Sequence, residues 1–302
     1  MPPLQQIKKK PNERRDILRV DRVEEMKTAR RKRIYKRIAF SGTLLLILIG
    51  LVSAFSKHQK LLINDIVVSG NNIIEKKDIE QIINNSLSGN YVHLFARRDF
   101  LIYPKNKIER DLKEEFKRII NLNVSLLNYR TLSVDLTERK GEYLWCGDSF
   151  PEVDARSVIS ICYFSDSNGY IFDKAPYFSG NAYFKFYTGI SDPNNPIGAS
   201  ALSTLEFKNI LAFKNGLASF GILTDTFLIN SDSDYEFLIL AQGSINAPRI
   251  IFKKDQAYEK LLADLESALS AEPLATDFKA KLSSLEYLDL RYDNKVYYKF
   301  NK

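Results

Sequence analysis

The sequence predicts an α+β protein held at a membrane by a single helix, and three observations carry that reading. An uncharged run, Ile38 to Phe55, stands between two groups of basic residues. Residues Leu62 to Arg139 read in the order strand, helix, helix, strand, strand. From Lys140 to Lys302 short aromatic strands predominate, with a few helices between them, as in a mostly antiparallel β domain with flanking helices.

The apolar run is IAFSGTLLLILIGLVSAF, 18 residues. As a helix it would extend roughly 27 Å, close to the thickness of a bilayer's hydrocarbon core. It begins after Arg30, Arg31, Lys32, Arg33, Lys36 and Arg37 and stops before Lys57, His58 and Lys60. A cleaved signal would have a shorter apolar run and a less extended basic tail. Residues 38–55 are therefore expected to be an uncleaved transmembrane helix. Residues 1–37 hold 14 Lys and Arg against 5 acids, a net +9, while the whole chain is +7. The rest of the chain is thus −2, and the basic character belongs to the tail alone. Basic residues beside a span are retained in the cytoplasm, so the tail is expected inside and residues 56–302 outside. Before Tyr35 no aromatic residue interleaves with these charges, which argues against nucleic-acid stacking and for a topology signal that also meets anionic lipid.

In the segment 62–139, INDIVV (Ile63 to Val68) is β-branched and closes on the turn cluster Ser69-Gly70-Asn71-Asn72. Ile79, Ile82 and Ile83 then recur at helical spacing. A second helical stripe is read through Ile108, Leu112, Phe116 and Ile119. The period then changes to two, with Leu122, Val124 and Leu126 before Asn128-Tyr129-Arg130, and Leu132, Val134 and Leu136 after it.

These residues resemble a known family, the bacterial division proteins FtsQ and DivIB. IVVSGNNII (Ile66 to Ile74) and TLSVDLTERK (Thr131 to Lys140) are similar to the opening and close of that family's POTRA domain. CYFSDSNGYIF (Cys162 to Phe172) and YLDLRYDNKVYYKF (Tyr287 to Phe300) resemble stretches of its distal β domain. The family usually has a Pro two residues after its Glu-Arg, where this chain has Glu138-Arg139-Lys140-Gly141. The resemblance implies a POTRA domain at 62–139 and an FtsQ-type β domain at 140–302. It also implies a scaffold of the cell division machinery at the septum, single-pass in the cell membrane. Its partners would be FtsB-like and FtsL-like single-pass proteins. By the Asp-Leu-Arg match, the partner-binding residues would be Arg291, Tyr292, Asn294 and Phe300. A different class, a POTRA protein of polypeptide secretion or envelope assembly, would normally continue into an outer-membrane barrel. No barrel-length series of strands follows here.

The distal segment reads as strands at Glu142–Cys146, Ser160–Phe164, Tyr170–Asp173, Tyr183–Tyr187, Ser219–Thr226, Tyr235–Leu240 and Arg249–Lys254. Helices are read through Leu202, Leu205, Ile210 and Leu211, and through Tyr258, Leu261, Leu262, Leu265 and Leu269. A final hairpin pairs Tyr287–Tyr292 with Val296–Phe300. Asp166-Ser167-Asn168-Gly169 is read as a hairpin turn, because the remaining ligand spacing of a calcium loop is absent.

Little in the chain points to catalysis. The two histidines, His58 and His93, stand in no metal-ligand spacing. There is no Ser-x-x-Lys and no Gly-Lys dipeptide, which argues against a penicillin-binding nucleophile and a P-loop. No catalytic, cofactor-binding or metal-binding residue is assigned, and no cofactor is expected. The two cysteines, Cys146 and Cys162, lie on the outer side, where a disulfide between them is one reading. Two reduced thiols packed as small apolar residues is the other.

Overall fold

The computed structural model describes residues 13–56, 61–92, 94–150, 161–178, 181–230, 234–241 and 247–301. Ser160, where the sequence reading starts a strand, lies outside these residues, as do His58 and His93. The described residues within Met1–Ile66, Asn84–Pro104 and Leu126–Leu132 form one compact unit, and those within Val67–Ile83, Lys105–Ser125 and Ser133–Lys302 form another.

The first element is a 44-residue helix, α1 (Glu13–Ser56), in which the described part of the basic tail and the apolar run are continuous. Its Met26–Ala54 portion is long and apolar enough to cross a membrane. Within it Ile38, Phe40, Leu44 to Leu48 and Leu51 are all exposed, so the apolar surface runs all the way round. Two of its hydroxyls bond back to carbonyls of the helix itself. Ser41 Oγ donates to the Ile38 carbonyl at 3.0 Å and Thr43 Oγ1 to that of Ala39 at 2.9 Å, so neither would meet hydrocarbon unpaired.

After α1 come β1 (Asp65–Ser69), α2 (Lys76–Leu87), a two-stranded ribbon of β2 (Asn90–Tyr91) and β3 (Phe95–Ala96), α3 (Lys105–Glu115), β4 (Ile119–Asn128) and β5 (Thr131–Glu138). The sheet order is β1-β5-β4, and the ribbon is a sheet of its own. Leu132, Val134 and Leu136 are buried in alternation along β5, as the period of two requires. Ile79 and Ile83 of α2, and Ile108 and Leu112 of α3, are fully buried. The second helix is shorter than its apolar stripe predicts. α3 ends at Glu115, the Phe116 N–H still bonds back to the Leu112 carbonyl at 2.9 Å, and Ile119 opens β4. An apolar residue that begins a half-buried strand fits a helical stripe equally well, so spacing alone cannot separate them.

The C-terminal part holds β6 (Tyr143–Trp145), β7 (Tyr163–Ser165), β8 (Ile171–Lys174), β9 (Phe184–Tyr187), α4 (Thr204–Ser219), β10 (Thr224–Ile229), β11 (Asp234–Ile239), β12 (Arg249–Lys253), α5 (Tyr258–Leu269), α6 (Leu274–Lys281), β13 (Leu285–Tyr292) and β14 (Lys295–Phe300). Nine strands form one sheet in the order β14-β13-β12-β11-β10-β9-β6-β7-β8. The sheet is largely antiparallel, with parallel pairs at β6/β9, β9/β10 and β12/β13. Parallel neighbours need a crossover. Helix α4 supplies it between β9 and β10, and α5 with α6 between β12 and β13. One face carries the main core, where Phe186, Phe227, Phe237 and Phe252 meet Phe213 and Leu217 of α4 and Leu265 of α5. The other face carries a smaller cluster around Leu144, Tyr187, Leu228 and Leu238.

The strand expected over Ser219–Thr226 begins only at Thr224, because α4 runs on to Ser219. The helix then closes with Gly221 at φ +80°. The Gly221 N–H bonds to the Ala218 carbonyl, and the Ile222 N–H to that of Leu217. This is a Schellman ending, which needs a residue free to take positive φ. Near the other end of the chain Asn294 takes φ +57° in the β13–β14 turn, where Asn is among the residues that tolerate it.

Cys146 and Cys162 are joined by a disulfide, with their Cα atoms 4.1 Å apart and a sequence separation of 16. Closing a loop of that size removes freedom from the unfolded chain, by about 3 kcal/mol in the entropy model. Reduction is therefore expected to lower the unfolding free energy by about that amount, read from denaturant titrations with and without reductant. Identical curves, with both thiols open to alkylation in each sample, would remove the bridge from the account.

Candidate functional site

Three of the four residues expected to bind a partner lie together at one corner of the nine-stranded sheet. Arg291 and Tyr292 end β13, and Asn294 forms the turn that leads into β14. Tyr292 is 52 % exposed, and its ring meets that of Tyr297 on β14 edge to face, centroids 5.1 Å apart. Tyr297 is itself 48 % exposed. Tyr297 is not among the residues that the Asp-Leu-Arg match implies, although the alternation along β14 puts it on the face opposite Val296, Tyr298 and Phe300.

Phe300 stands apart from the other three. It pairs with Leu285 at the far end of β14, touches the Tyr298 ring and packs with Val296 and Tyr298 against the main core. Arg291 has its own structural work. Its Nε and Nη2 donate to the two Asp289 carboxylate oxygens at 2.9 and 2.7 Å, and Nη1 reaches over β12 to Asp234 at 2.5 Å. The hydrogen bonds to Asp289 and then to Asp234 hold this guanidinium above its ordinary pKa. Asp289 is buried, so the pair fixes the end of β13 from within.

The two outermost strands of the sheet differ in what lies beside them. Along β8 the Ile171 N–H bonds to the Ala199 carbonyl at 2.9 Å, and the Gly198 N–H to the Ile171 carbonyl at 2.8 Å. A loop thus covers the start of that edge, at Ile171. β14 pairs with β13 on one side, and among the described residues no backbone group bonds to its other side. Alternate N–H and C=O groups of β14 point that way. At six residues the strand offers an edge roughly 20 Å long. Lys295 and Lys299 stand on it, with Lys299 paired to Glu286 at 2.6 Å. Lysines on an open edge discourage indiscriminate pairing.

A cleft of about 490 Å³ opens beside the start of α4 and α5, lined by Ser203, Glu206, Asn209, Lys254 and Tyr258 among others. Glu206 accepts from the Tyr235 hydroxyl and pairs with Lys254 at 3.1 Å. Burial, then Glu206 and Asp255, push the Tyr258 phenol up to about 12. Burial first and the Glu206 bond second raise that of Tyr235 as well. Both phenols keep their protons at neutral pH, which makes neither a base. Among the described residues no group of three His, Cys, Asp or Glu is placed to hold a metal. The Asp166 turn is fully engaged, Oδ1 accepting from the Asn168 and Tyr170 N–H groups and Oδ2 pairing with Arg139.

Glu138 and Arg139, singled out in sequence only by resemblance, carry structural roles. One Glu138 oxygen accepts from the backbone N–H groups of Asn72, Ile73 and Ile74 at 2.7, 3.0 and 3.0 Å. Arg139 donates to the Lys117 carbonyl at 3.1 Å, pairs with Asp166 and lies over the Tyr170 ring at 4.4 Å. No protein-family model matches this chain, and no curated protein matches it.

Arg291 and Tyr292 should therefore separate in a stability measurement. Arg291→Ala leaves the buried Asp289 carboxylate without its cation and is expected to cost about 1–3 kcal/mol of folding free energy. Tyr292→Ala, at an exposed ring, should stay within about 0.5 kcal/mol. Urea titration of the two variants reads the difference, and equal losses would contradict this division of roles.

Proposed function

We propose that this chain is a non-enzymatic, membrane-anchored scaffold of the bacterial cell division machinery, of the FtsQ/DivIB kind. On this reading α1 crosses the cell membrane with the basic tail in the cytoplasm, and residues 62–139 are a POTRA domain. The distal β domain then docks an FtsB-like single-pass protein, paired with an FtsL-like one, at the septum. The observation that carries the proposal is the edge of β14 left open among the described residues, beside which Tyr292 and Tyr297 stand exposed with their rings edge to face.

The physical logic is strand addition. An extended partner segment can satisfy its own backbone and that of β14 at once, and side chains on alternate positions then supply selectivity. Two exposed tyrosines at the corner are suitable anchors, since aromatic residues lose little side-chain freedom and dominate interface energetics. Arg291 acts by holding the end of β13 in place for Tyr292. Phe300 lies on the core side, so contact with the partner is assigned to Tyr292, Asn294 and Tyr297. Apart from the separate β2–β3 ribbon between the two helices, the order strand, helix, helix, strand, strand supports the POTRA reading, and the long apolar helix supports the anchor.

The test is a titration of the full chain in detergent with the outer segment of an FtsB-like protein from the same cell. Tyr292→Ala and Tyr297→Ala are each expected to weaken binding by about 2 kcal/mol, roughly 30-fold. Tyr177→Ala, at another exposed tyrosine, should leave it unchanged. Parent-like affinity in both corner variants would overturn the assignment.

A further inference from the structure

We propose that the apolar tip formed by Val92, Leu94, Leu101, Ile102 and the β4–β5 turn dips into the outer leaflet of the membrane that α1 crosses. The inference rests on the reading of α1 as a span, and it concerns a surface distinct from the β14 edge.

Three elements of one compact unit converge where the chain leaves α1. The Ile63 N–H bonds to the Arg98 carbonyl at 2.9 Å, and Arg98 Nη1 returns to the Ile63 carbonyl at 3.2 Å. The N–H groups of Asn64 and Asp65 bond to the Arg130 carbonyl at 2.9 and 3.1 Å, which fixes the β4–β5 turn beside the same segment. The third link reaches α1 itself, where the Ser53 hydroxyl donates to the Leu94 carbonyl at 2.5 Å. Ser53 lies in the last turn of the apolar run, so this bond sets Leu94 at the height where the hydrocarbon core ends.

At that height a soluble surface would be polar, and this one is not. Val92 is 82 % exposed, Leu101 73 % and Leu127 69 %, with Leu94, Ile102 and Tyr129 exposed beside them. Val92 holds φ +48°, a conformation that a β-branched residue rarely takes, and it stands at the tip of the β2–β3 ribbon. Exposed apolar residues clustered in this way mark an interaction site. The charges fit an anionic headgroup layer. Arg130 is exposed and Arg97 lies over the Tyr91 ring at 5.4 Å, while the loop's acid, Asp99, is buried and accepts from the Leu101 N–H at 2.9 Å. Tyrosines at the boundary, such as Tyr129, suit the interfacial zone. The occupant is therefore lipid, met by continuity with the span.

The test places a nitroxide on the full chain in nanodiscs of mixed neutral and anionic lipid, at Val92→Cys, Leu101→Cys, Leu46→Cys or Tyr177→Cys. All four positions are exposed, so the labels leave the cores intact. Labels at Val92 and Leu101 are expected to lose collisions with a water-soluble nickel chelate and keep those with oxygen. The Leu46 label, in the middle of the apolar run, should read deeper still, and the Tyr177 label should read as aqueous. If Leu46 reads deep while Val92 and Leu101 collide with nickel as Tyr177 does, the leaflet contact is wrong and the span stands. If Leu46 itself reads as aqueous, the span reading falls and this inference with it.

Discussion

A β-sheet meets the hydrogen-bonding needs of its backbone only by adding neighbours, and each outermost strand is left with one unpaired row. In the nine-stranded sheet that requirement organises the distal part of the chain. Two crossovers, through α4 and through α5 with α6, let β10 and β13 enter as parallel neighbours, and the same helices cover the aromatic face. Residues 198–199 cover the start of the β8 edge, at Ile171. Along β14 the outer row is left open among the described residues, and the β13–β14 turn sets two tyrosines beside it. The proposed docking function rests on that asymmetry, because these unpaired backbone groups lie next to side chains well suited to hold a partner.

Glu138 and Arg139 show how adjacent residues can order two loops at once. The Glu138 carboxylate gathers three consecutive N–H groups from the turn after β1, where Gly70 sits at φ +80°. A Cβ on Gly70 would lie 1.9 Å from the Leu136 carbonyl oxygen, so only glycine lets β5 approach this closely. Arg139 points the other way, onto Lys117, Asp166 and Tyr170. Arg118 repeats the arrangement nearby, donating to Asp173 and lying over Phe172. Both arginines combine a carboxylate with an aromatic face, a pairing that suits a planar guanidinium better than a lysine.

Where the pattern is local, the sequence is readable: the unbroken apolar run in α1, and the half-buried alternation along β5 and the two strands of the final hairpin, all belong to this class. What depends on distant neighbours is not. The parallel pairs at β6/β9, β9/β10 and β12/β13 leave no mark in the strands themselves, because a short aromatic strand reads the same in either direction. Helix α6 was missed because it is only eight residues long and buries little beyond Leu274 and Phe278. At the candidate site, Arg291 and Tyr292 were found through the Asp-Leu-Arg motif. That Arg291 is tied to Asp289 and Asp234 could not be known before β11 and β13 were brought within reach of each other. Tyr297 could have been found, since the alternation that turns Tyr298 toward the core turns Tyr297 away from it.

The claim that β14 receives a partner strand is tested most directly by hydrogen exchange on the full chain, with and without an FtsB-like partner. The account predicts that the outward-pointing amides of β14 exchange quickly in the free protein and become strongly protected in the complex, while those along β8 change little. A partner that binds without slowing exchange anywhere along β14 would contradict it.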